Sequence, residues 1–380
     1  MKYKKYRLDD LLEIKYGKDK KTIESEDGKY PIFGTGGLMG YTNIFLYDQP
    51  SILIGRKGTI SKVKYVEEPF WTVDTLFWTK INNKIVDPKY LYYKLLSINF
   101  NDYNEGTTIP SLRTETLNRI EIEIPDLETQ KKVVKVLSIL DQKIELNNQQ
   151  NNTLFNIIKS IFRQQFYQKG SDCSLSDYIL TEINGDWGKD KKENGTEKVY
   201  CIRGADIPGM EYGHKGNAPN RFVLEKRIEK KSLSEDDIII EISGGSPTQS
   251  TGRTAYITQE IIDMYDAPLL CTNFCKAIKV KDRIFAPFIY MYLKLLYEDD
   301  ILFNWENGTT GIKNLALSSL LFNIKVQSFS EKEVKRFYDQ FYSIVNKISK
   351  NSAKNMNLVQ MRDTLLPKLM SGEINLRNIS

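Results

Sequence analysis

The sequence lacks most of the residues that metal-dependent or nucleotide-dependent catalysis uses. Its single histidine, His214, has no metal-ligand partner at a useful spacing, and no CxxC pair is formed by the four cysteines, Cys173, Cys201, Cys271 and Cys275. Neither a zinc site nor a disulfide framework is therefore predicted. The chain has no GxxxxGK[ST] phosphate cradle, no GxSxG nucleophile elbow and no Pro-Pro-aromatic tetrapeptide of the amino-methyltransferase kind. We expect a chain without catalytic residues, metal or cofactor.

Long apolar runs and a strong charge imbalance are also missing. No stretch approaches the roughly 18 apolar residues of a membrane span, and the first ten residues, "MKYKKYRLDD", contain no apolar signal segment, so a cytoplasmic location is expected. The 54 basic and 49 acidic residues leave a net charge of +5, which suits an anionic partner without requiring one. With 380 residues, 41% of them hydrophobic, the chain can form two or three globular domains.

What the sequence does contain is an internal repeat with a period of about 200 residues. The phrase "EGTTIPSL" at 105–112 recurs as "NGTTGIKNL" at 307–315, and "DPKYLYYKLL" at 87–96 recurs as "APFIYMYLKLL" at 286–296. A duplicated chain predicts two similar modules related by a pseudo-two-fold axis.

Two segments carry a heptad pattern, which in the first segment continues through a run of six amides, residues 147–152. A loop has no reason to preserve alternating steps of four and three residues, so each segment predicts one long helix. A shift of 204 positions superimposes the two patterns and places asparagine at the same two steps of both. The predicted core positions are Val133, Leu137, Leu140, Ile144, Asn147, Asn151, Leu154 and Ile158 in the first copy, and Phe337, Phe341, Ile344, Ile348, Asn351, Asn355, Leu358 and Leu365 in the second.

The ends of both helices have their own signals. Asp126 and a capping box that opens at Ser330 predict the starts, and Gly170 and Gly372 predict the stops, which makes each helix about forty residues or roughly 60 Å long. Pro367 predicts that the second helix ends or kinks early.

Narrow apolar stripes on helices of this length predict that the two pair as an intramolecular antiparallel coiled coil. Asparagine in such a seam lowers stability but penalises shifted registers. The alternative is a polar turn at 147–152, with each helix folded back onto its own module.

The remaining sequence predicts an α/β (α+β) fold with two globular modules, because short strand-like and short helical runs alternate in it. The predicted domains are residues 1–125, a central helix at 126–170, residues 171–329, and a C-terminal helix with its tail at 330–380.

The loops of both modules are rich in glycine, hydroxyl, amide, basic and aromatic residues, as in "GRKGTISK" at 55–62 and "SGGSPTQSTGR" at 243–253. Such side chains can read base edges or hold phosphates. The alternative for each of them is an ordinary hairpin or a solvated face. The candidate DNA contacts are Lys18, Lys20, Thr35, Tyr41, Arg56, Lys57, Thr59, Lys62, Thr107 and Thr108 in the first module, and Arg203, Ser246, Thr248, Gln249, Thr251, Arg253, Thr309, Thr310 and Lys313 in the second.

These features together resemble the specificity subunit of type I restriction-modification systems. The sequence "TLLPKLMSGEI" at 364–374 looks like the closing signature of that family, and residues 127–166 are similar to its central helix. The phrases "IGRKGTISKV" and "EGTTIPSL" resemble recurrent phrases of its target recognition domains. The resemblance covers nearly the whole chain.

The resemblance implies that each module reads one half of a bipartite, asymmetric site in double-stranded DNA, while the helices fix the spacer. It also implies two modification (methyltransferase) subunits as partners, with restriction subunits added in complexes that cleave DNA. S-adenosylmethionine, ATP and magnesium would then be bound by those partners, and this chain would not be an enzyme. The rival interpretation is a non-enzymatic coiled-coil scaffold whose two modules bind proteins.

Overall fold

The computed structural model describes residues 3–374 except 168, 247 and 309–312. The chain divides into two compact units: unit 1 comprises Met1–Lys143 and Leu358–Ser380, and unit 2 comprises Ile144–Asn357. Both divisions fall inside long helices. Each unit therefore contains one globular module together with a segment of each helix.

Unit 1 contains short strands and short helices ahead of the first long helix. Its strands are β1 (Lys4–Arg7), β2 (Leu12–Tyr16), β3 (Tyr30–Gly34), β4 (Gly37–Thr42), β5 (Ser51–Gly55), β6 (Val63–Val66), β7 (Trp71–Thr72), β8 (Leu76–Ile81) and β9 (Glu121–Ile124). Its helices are α1 (Leu8–Leu11), α2 (Pro88–Leu96), α3 (Thr114–Asn118) and the first part of α4 (Leu127–Gln165).

The strands of unit 1 form a four-stranded antiparallel sheet in the order β2-β8-β5-β6 and a three-stranded sheet in the order β4-β3-β7, in which β3 and β7 are parallel. Strand β5, "SILIG", is buried along its whole length, as expected of a short continuous apolar run. Helix α2 is capped by Asp87, whose side chain accepts from the backbone N–H groups of Lys89 and Tyr90. The buried face of this helix packs with Ile52 and Ile54 in the main core of the unit.

Unit 2 contains the second module. Its strands are β10 (Lys169–Ser174), β11 (Ile179–Asn184), β12 (Thr196–Ile202), β13 (Asn220–Leu224), β14 (Ile238–Glu241), β15 (Ser243–Gly244), β16 (Thr254–Tyr256), β17 (Leu269–Cys271), β18 (Cys275–Val280), β19 (Glu306–Asn307), β20 (Lys313–Leu315) and β21 (Lys325–Val326). Its helices are the second part of α4, α5 (Glu225–Lys231), α6 (Gln259–Asp263), α7 (Ala286–Glu298), α8 (Leu317–Asn323) and the first part of α9 (Glu331–Ser371).

The sheets of unit 2 repeat those of unit 1. The four-stranded sheet has the order β11-β18-β14-β16, and the three-stranded sheet β13-β12-β17 again contains one parallel pair, β12 with β17. The pair β10-β21 corresponds to β1-β9, and α7 follows the four-stranded sheet as α2 does in unit 1. This agreement confirms the predicted α+β fold class and the duplication. Helices α5 and α6 are additions of the second copy.

Helices α4 and α9 begin where the sequence predicts. The Asp126 carboxylate accepts from the backbone N–H of Thr129 at 2.9 Å. The Ser330 hydroxyl accepts from the backbone N–H of Glu333, whose carboxylate accepts in turn from the Ser330 N–H. Helix α4 is 39 residues long and continuous through residues 147–152, so the alternative with a polar turn is wrong.

The predicted end of α4 needs correction. The helix ends at Gln165, and Gly170 lies in β10. A Cβ on Gly170 would fall 2.0 Å from the backbone nitrogen of Gln327, so this glycine serves close approach between strands and not a helix stop.

The predicted early end of α9 at Pro367 is also wrong. The helix continues to Ser371, because the buried residues Leu369 and Met370 hold its last turn against the core of unit 1. The predicted stop at Gly372 is confirmed by the φ of +77° at that residue.

The two helices pair in antiparallel fashion within each unit. In unit 1, Val133 and Leu137 of α4 share a core with Leu366 and Leu369 of α9. Further along α4, Asp141 pairs with Arg362 of α9 at 3.0 Å, so the residue numbers rise along one helix as they fall along the other, as the predicted antiparallel coiled coil requires.

In unit 2 the pairing passes through the seam asparagines. Asn147 Nδ2 donates to Asn355 Oδ1 at 2.7 Å, and Asn351 Nδ2 donates to Asn151 Oδ1 at 2.9 Å. The four asparagines of the two copies thus face one another in pairs.

All of the predicted seam positions are buried or half-buried. The buried ones are Val133, Leu137, Asn147, Asn151, Ile158, Phe337, Phe341, Ile348 and Asn351, and the half-buried ones are Leu140, Ile144, Leu154, Ile344, Asn355, Leu358 and Leu365. Phe155 and Phe162, outside the predicted seam, are also fully buried. They pack on aromatic residues of α7, because in unit 2 the helices contact the module as well as each other.

Candidate nucleic-acid interface

Two loops of unit 1 meet at one end of its four-stranded sheet. One is the loop after β5, which begins at Arg56, and the other is the repeated phrase at 105–112. The Arg56 carbonyl accepts from Leu112 N–H at 2.9 Å, and the Pro110 carbonyl accepts from Gly58 N–H at 2.9 Å. Gly58 has a φ of +83°, a conformation that favours glycine.

The same two loops meet in unit 2. The Ile242 carbonyl accepts from Leu315 N–H at 2.9 Å, and β15 pairs with β20. Each pair of partners in unit 2 occupies the position of a pair in unit 1. Ile242 and Leu315 correspond to Arg56 and Leu112, Ser243 and Asn314 correspond to Lys57 and Ser111, and Gly244 and Lys313 correspond to Gly58 and Pro110. We call this arrangement the loop pair: in each unit, the loop after β5 or β14 is hydrogen-bonded to the repeated phrase at 105–112 or 307–315.

Further candidate residues of unit 1 lie at this end of the sheet. The Lys18 N–H donates to the Thr72 carbonyl at 2.8 Å, and the Arg56 N–H donates to the Thr75 carbonyl at 2.9 Å, so both residues attach to the segment before β8. Thr35 and Lys62 line a common cavity of about 150 Å³. Thr35 and Arg56 are half-buried and the other members of this set are exposed. The loop-end surface of unit 1 thus comprises Lys18, Thr35, Arg56, Lys57, Thr59, Lys62, Thr107 and Thr108.

Lys20 and Tyr41 are not brought to this surface in the same way. The Lys20 ammonium pairs with the Glu24 carboxylate at 2.7 Å, and Glu24 forms a β-bridge with Thr42. Thr42 is the last residue of β4, whereas the turn that contains Thr35 precedes the first residue of that strand. Tyr41 lies beside that bridge and is exposed. These two residues form a separate polar and aromatic patch.

The Arg56 side chain is held by neutral groups. Its Nη1 donates to the backbone carbonyl of Asp74 at 3.0 Å, and its guanidinium carbon lies 5.0 Å from the centre of the Tyr16 ring. A guanidinium in cation–π contact with an aromatic ring keeps its charge and most of its N–H groups available.

The two candidate arginines of unit 2, Arg203 and Arg253, are held by buried carboxylates instead. Arg203 makes two hydrogen bonds to Asp206, at 2.9 and 3.0 Å, and Arg253 Nε donates to Glu241 at 2.8 Å within a two-point pair. Asp206 and Glu241 are only 5% and 3% exposed. Burial by itself raises the pKa of Asp206, but Arg203 and the backbone N–H groups around it outweigh burial and lower that pKa below its usual value.

Two further candidates of unit 2, Thr251 and Lys313, surround Glu306. The Glu306 carboxylate accepts from the backbone N–H of Thr251 at 2.6 Å and from Lys313 Nζ at 2.8 Å. Burial by itself raises the pKa of Glu306, but these donors outweigh it and lower that pKa.

The other candidates of unit 2 lie on the loop after β15 or in the second repeated phrase. Gln249 is exposed and donates to the Tyr297 hydroxyl, Thr248 is exposed, and Ser246 is half-buried. Thr309 and Thr310 lie outside the described residues.

The sequence interpretation included Lys18 and Lys20 of one basic loop but missed the recurrence of this loop in unit 2. The pentapeptide "GKDKK" occurs at 17–21 and again at 188–192, in both cases after the first strand of a four-stranded sheet. In unit 2 its first lysine, Lys189, forms a backbone bridge to Phe222, and Lys191 is exposed. A search for exact short repeats finds this pair, whereas a heptad or strand pattern does not.

The connection between β12 and β13 also differs from its counterpart. In unit 1 a two-residue turn joins β3 to β4, whereas residues 203–219 join β12 to β13 and reach helix α4. The Tyr212 carbonyl accepts from Asn151 Nδ2 at 3.0 Å, and Lys294 pairs with Glu211 at 3.1 Å. His214 in this connection is exposed.

Among the described residues, no group of three or more His, Cys, Asp and Glu side chains has the arrangement of a metal site. In the same part of the chain, no helix combines the length and apolar character needed to cross a membrane. The cysteines are free thiols, and burial raises the pKa of Cys201 and Cys275 to about 12.

Comparison with known proteins points to one family. Residues 1–156 match the type I restriction modification DNA specificity domain. The chain is 25% identical over 361 residues to the type I restriction enzyme MjaIX specificity subunit of Methanocaldococcus jannaschii, covering 88% of this chain and 80% of that protein. It is 25% identical over 362 residues to the type I restriction enzyme HindI specificity subunit of Haemophilus influenzae, covering 77% and 79%. The crystal structure of a type I restriction-modification S subunit from M. genitalium has a similar fold, with a TM-score of 0.53, 21% identity, and coverage of 97% and 96%.

Proposed function

Because this chain belongs to the specificity subunits of type I restriction-modification systems, we propose that it is the DNA-reading component of such a complex. Each globular module reads one half of a bipartite site, and the two long helices set the spacer between the halves. The observation that carries this proposal is the loop pair found once in each unit, at Arg56 with Leu112 and at Ile242 with Leu315. One loop pair per module suits one half-site per module.

The two modules present different chemistry at this loop pair. The loop-end surface of unit 1 combines exposed lysines with exposed threonines, and its arginine is held by a carbonyl and a ring among the described residues. In unit 2, Arg203, Arg253 and Lys313 are paired with carboxylates, and hydroxyl and amide groups are left on the longer loop. The two half-sites are therefore unlike, and unit 1 supplies more of the phosphate attraction.

The long helices also offer a surface for protein partners. Within unit 2, Leu146 and Ile157 of α4 are exposed, as are Lys347, Lys350 and Lys354 of α9. Apolar and basic groups together suit a partner surface with apolar and acidic groups. Two modification subunits, and restriction subunits where DNA is cleaved, are the proposed partners. The binding of S-adenosylmethionine, ATP and magnesium, and the catalysis that uses them, are assigned to these partner subunits.

Selection from a random duplex library tests the proposal. The full chain, assembled with its modification subunits, is expected to enrich duplexes that share two short sequences at a fixed separation. Binding to the enriched duplex falls as salt rises, because each phosphate contact releases a condensed counterion, with a slope of about 0.9 per contact. Lys57→Ala is expected to reduce that slope by about one contact.

Lys84→Ala is the matched control, because Lys84 is exposed in the turn after β8, at the other end of the same sheet. Its slope should equal that of the wild type. Enrichment of no common sequence, together with a salt-independent background, would instead favour the protein-binding scaffold.

A further inference from the structure

We infer that Arg56 reads a guanine in the half-site of unit 1, and that Tyr16 is the positioning residue that aims it. The inference rests on the proposed function and adds a base and a pair of residues to it. Arginine recognises guanine through two parallel hydrogen bonds to O6 and N7 in the major groove, which requires a charged guanidinium in a defined plane.

The surroundings of Arg56 restrict the position of its guanidinium. The centre of the Tyr16 ring lies 5.0 Å from the guanidinium carbon, which is a cation–π contact. The Asp74 carbonyl accepts from Nη1 at 3.0 Å and leaves the Nη2 and Nε groups for another acceptor. Tyr16 itself is 52% exposed, so the contact lies at the surface of the loop end and not within the core.

The backbone of Arg56 is fixed on both sides. Its N–H donates to the Thr75 carbonyl and its C=O accepts from Leu112 N–H, both at 2.9 Å. Gly55, which precedes it, belongs to the buried strand β5. A side chain that is attached to a fixed backbone and contacts a ring loses little further conformational entropy on binding. Such preorganisation favours specific recognition.

The positions of Tyr16 and Arg56 hold no such pair in unit 2. An arginine–aromatic contact does occur there between Arg221 and Trp187, at 4.3 Å, but the Arg221 side chain is only 9% exposed and pairs with Asp190. Strand register places Tyr16 opposite Phe77 on β8 and Asn184 opposite Lys276 on β18, the corresponding position. Asn184 therefore takes the place of Tyr16. Ile242 takes the place of Arg56, as the loop pair shows.

The arginines at the corresponding end of unit 2 are committed to carboxylates. Arg203 and Arg253 each make two hydrogen bonds, to Asp206 and Glu241, and leaving those buried carboxylates unpaired would be costly. Arg203 and Arg253 are therefore not assigned to the reading of guanine.

The test replaces guanine by 7-deazaguanine, which lacks the N7 acceptor, at each guanine of the selected duplex in turn. For the wild-type complex, one replacement in the half-site of unit 1 is expected to weaken binding roughly 5- to 150-fold. Arg56→Ala weakens binding to unmodified DNA by a similar factor, and the same replacement then causes no further loss.

Tyr16→Leu separates positioning from charge. It is expected to reduce the discrimination between guanine and 7-deazaguanine while leaving the salt slope unchanged, since no charge is removed. Arg56→Lys should also keep the slope and lose discrimination. Tyr6→Leu is the control, because that ring belongs to the separate strand pair β1-β9 and its centre lies 5.0 Å from the Lys4 ammonium. Thermal unfolding verifies that every variant is folded.

The outcomes distinguish this inference from the function on which it rests. The inference is overturned, and the proposed function left standing, by a selected bipartite site with no guanine in the half assigned to unit 1. The inference is also overturned, with the proposed function left standing, if 7-deazaguanine in that half-site does not weaken binding of the wild-type complex. It is overturned in the same way if 7-deazaguanine still weakens binding of the Arg56→Ala complex. Failure to select any bipartite site overturns both.

Discussion

At the scale of single residues, arginine side chains make different contacts in the two units. Arg56 contacts a tyrosine ring and donates to a backbone carbonyl, whereas Arg253 donates to the Glu241 carboxylate. From sequence alone both arginines belong to glycine-rich loops beside a buried strand, and both are predicted as DNA contacts. The pairing of Arg253 could not be predicted, because Glu241 ends a strand and only the fold of the intervening loop brings the two together.

This difference predicts that Glu241 is a stability residue. Glu241→Gln removes the charge that compensates Arg253, and breaking a buried pair costs about 3 to 5 kcal/mol of unfolding free energy. Because the Arg253 side chain keeps 22% of its surface exposed, we expect the lower end of that range, about 3 kcal/mol. Chemical denaturation measures the change.

The control for Glu241 is Asp266→Asn. Asp266 pairs with Lys198 at 2.8 Å, and its side chain is 71% exposed, so water replaces the lost contact. Its effect on the free energy of unfolding should be far smaller than that of Glu241→Gln. Equal effects of the two substitutions would show that the Arg253 pair is solvated.

At the scale of elements, the long helices were the most predictable part of the molecule. A heptad period marks a buried face whatever lies beyond it, so α4 and α9 and their starting residues follow from the sequence. Phe155 and Phe162 were missed because they leave the heptad to contact the module, and that contact depends on where α7 packs. The end of α4 was predicted wrongly at Gly170, because a glycine needed for close approach between strands cannot be distinguished by sequence from one that stops a helix.

The antiparallel pairing changes which asparagines are partners. The repeat aligns Asn147 with Asn351, but the hydrogen bond from Asn147 goes to Asn355. Replacing both members of a buried polar pair removes the desolvation penalty, while replacing one leaves its partner unsatisfied. We therefore expect Asn147→Leu with Asn355→Leu to have a higher Tm than either single substitution, measured by thermal unfolding of the full chain.

Gln149→Leu is the matched control for added hydrophobicity, because Gln149 is exposed on α4 between the two seam asparagines of that helix. It should leave the Tm close to that of the wild type. A double variant that melts below both single variants would contradict a buried seam at these positions.

At the scale of the whole molecule, the duplication is what connects sequence to function. The repeated phrases at 105–112 and 307–315 each form one half of a loop pair, and the sheets around the two loop pairs have matching strand orders. The loop conformations could not be predicted, because they depend on local close approaches such as that at Gly106, where a Cβ would lie 1.9 Å from the Ile109 carbonyl oxygen. The additions in unit 2, including residues 203–219, have no counterpart in unit 1 from which to argue.

The central claim is that each module reads its own half of one site. Exchanging residues 1–125, the predicted first domain, for the corresponding module of another family member tests it, with the recognised sequence determined by selection from a duplex library before and after. The expected result is a new first half-site, with the second half-site and the spacer length unchanged. A change in both half-sites, or in neither, would contradict independent reading.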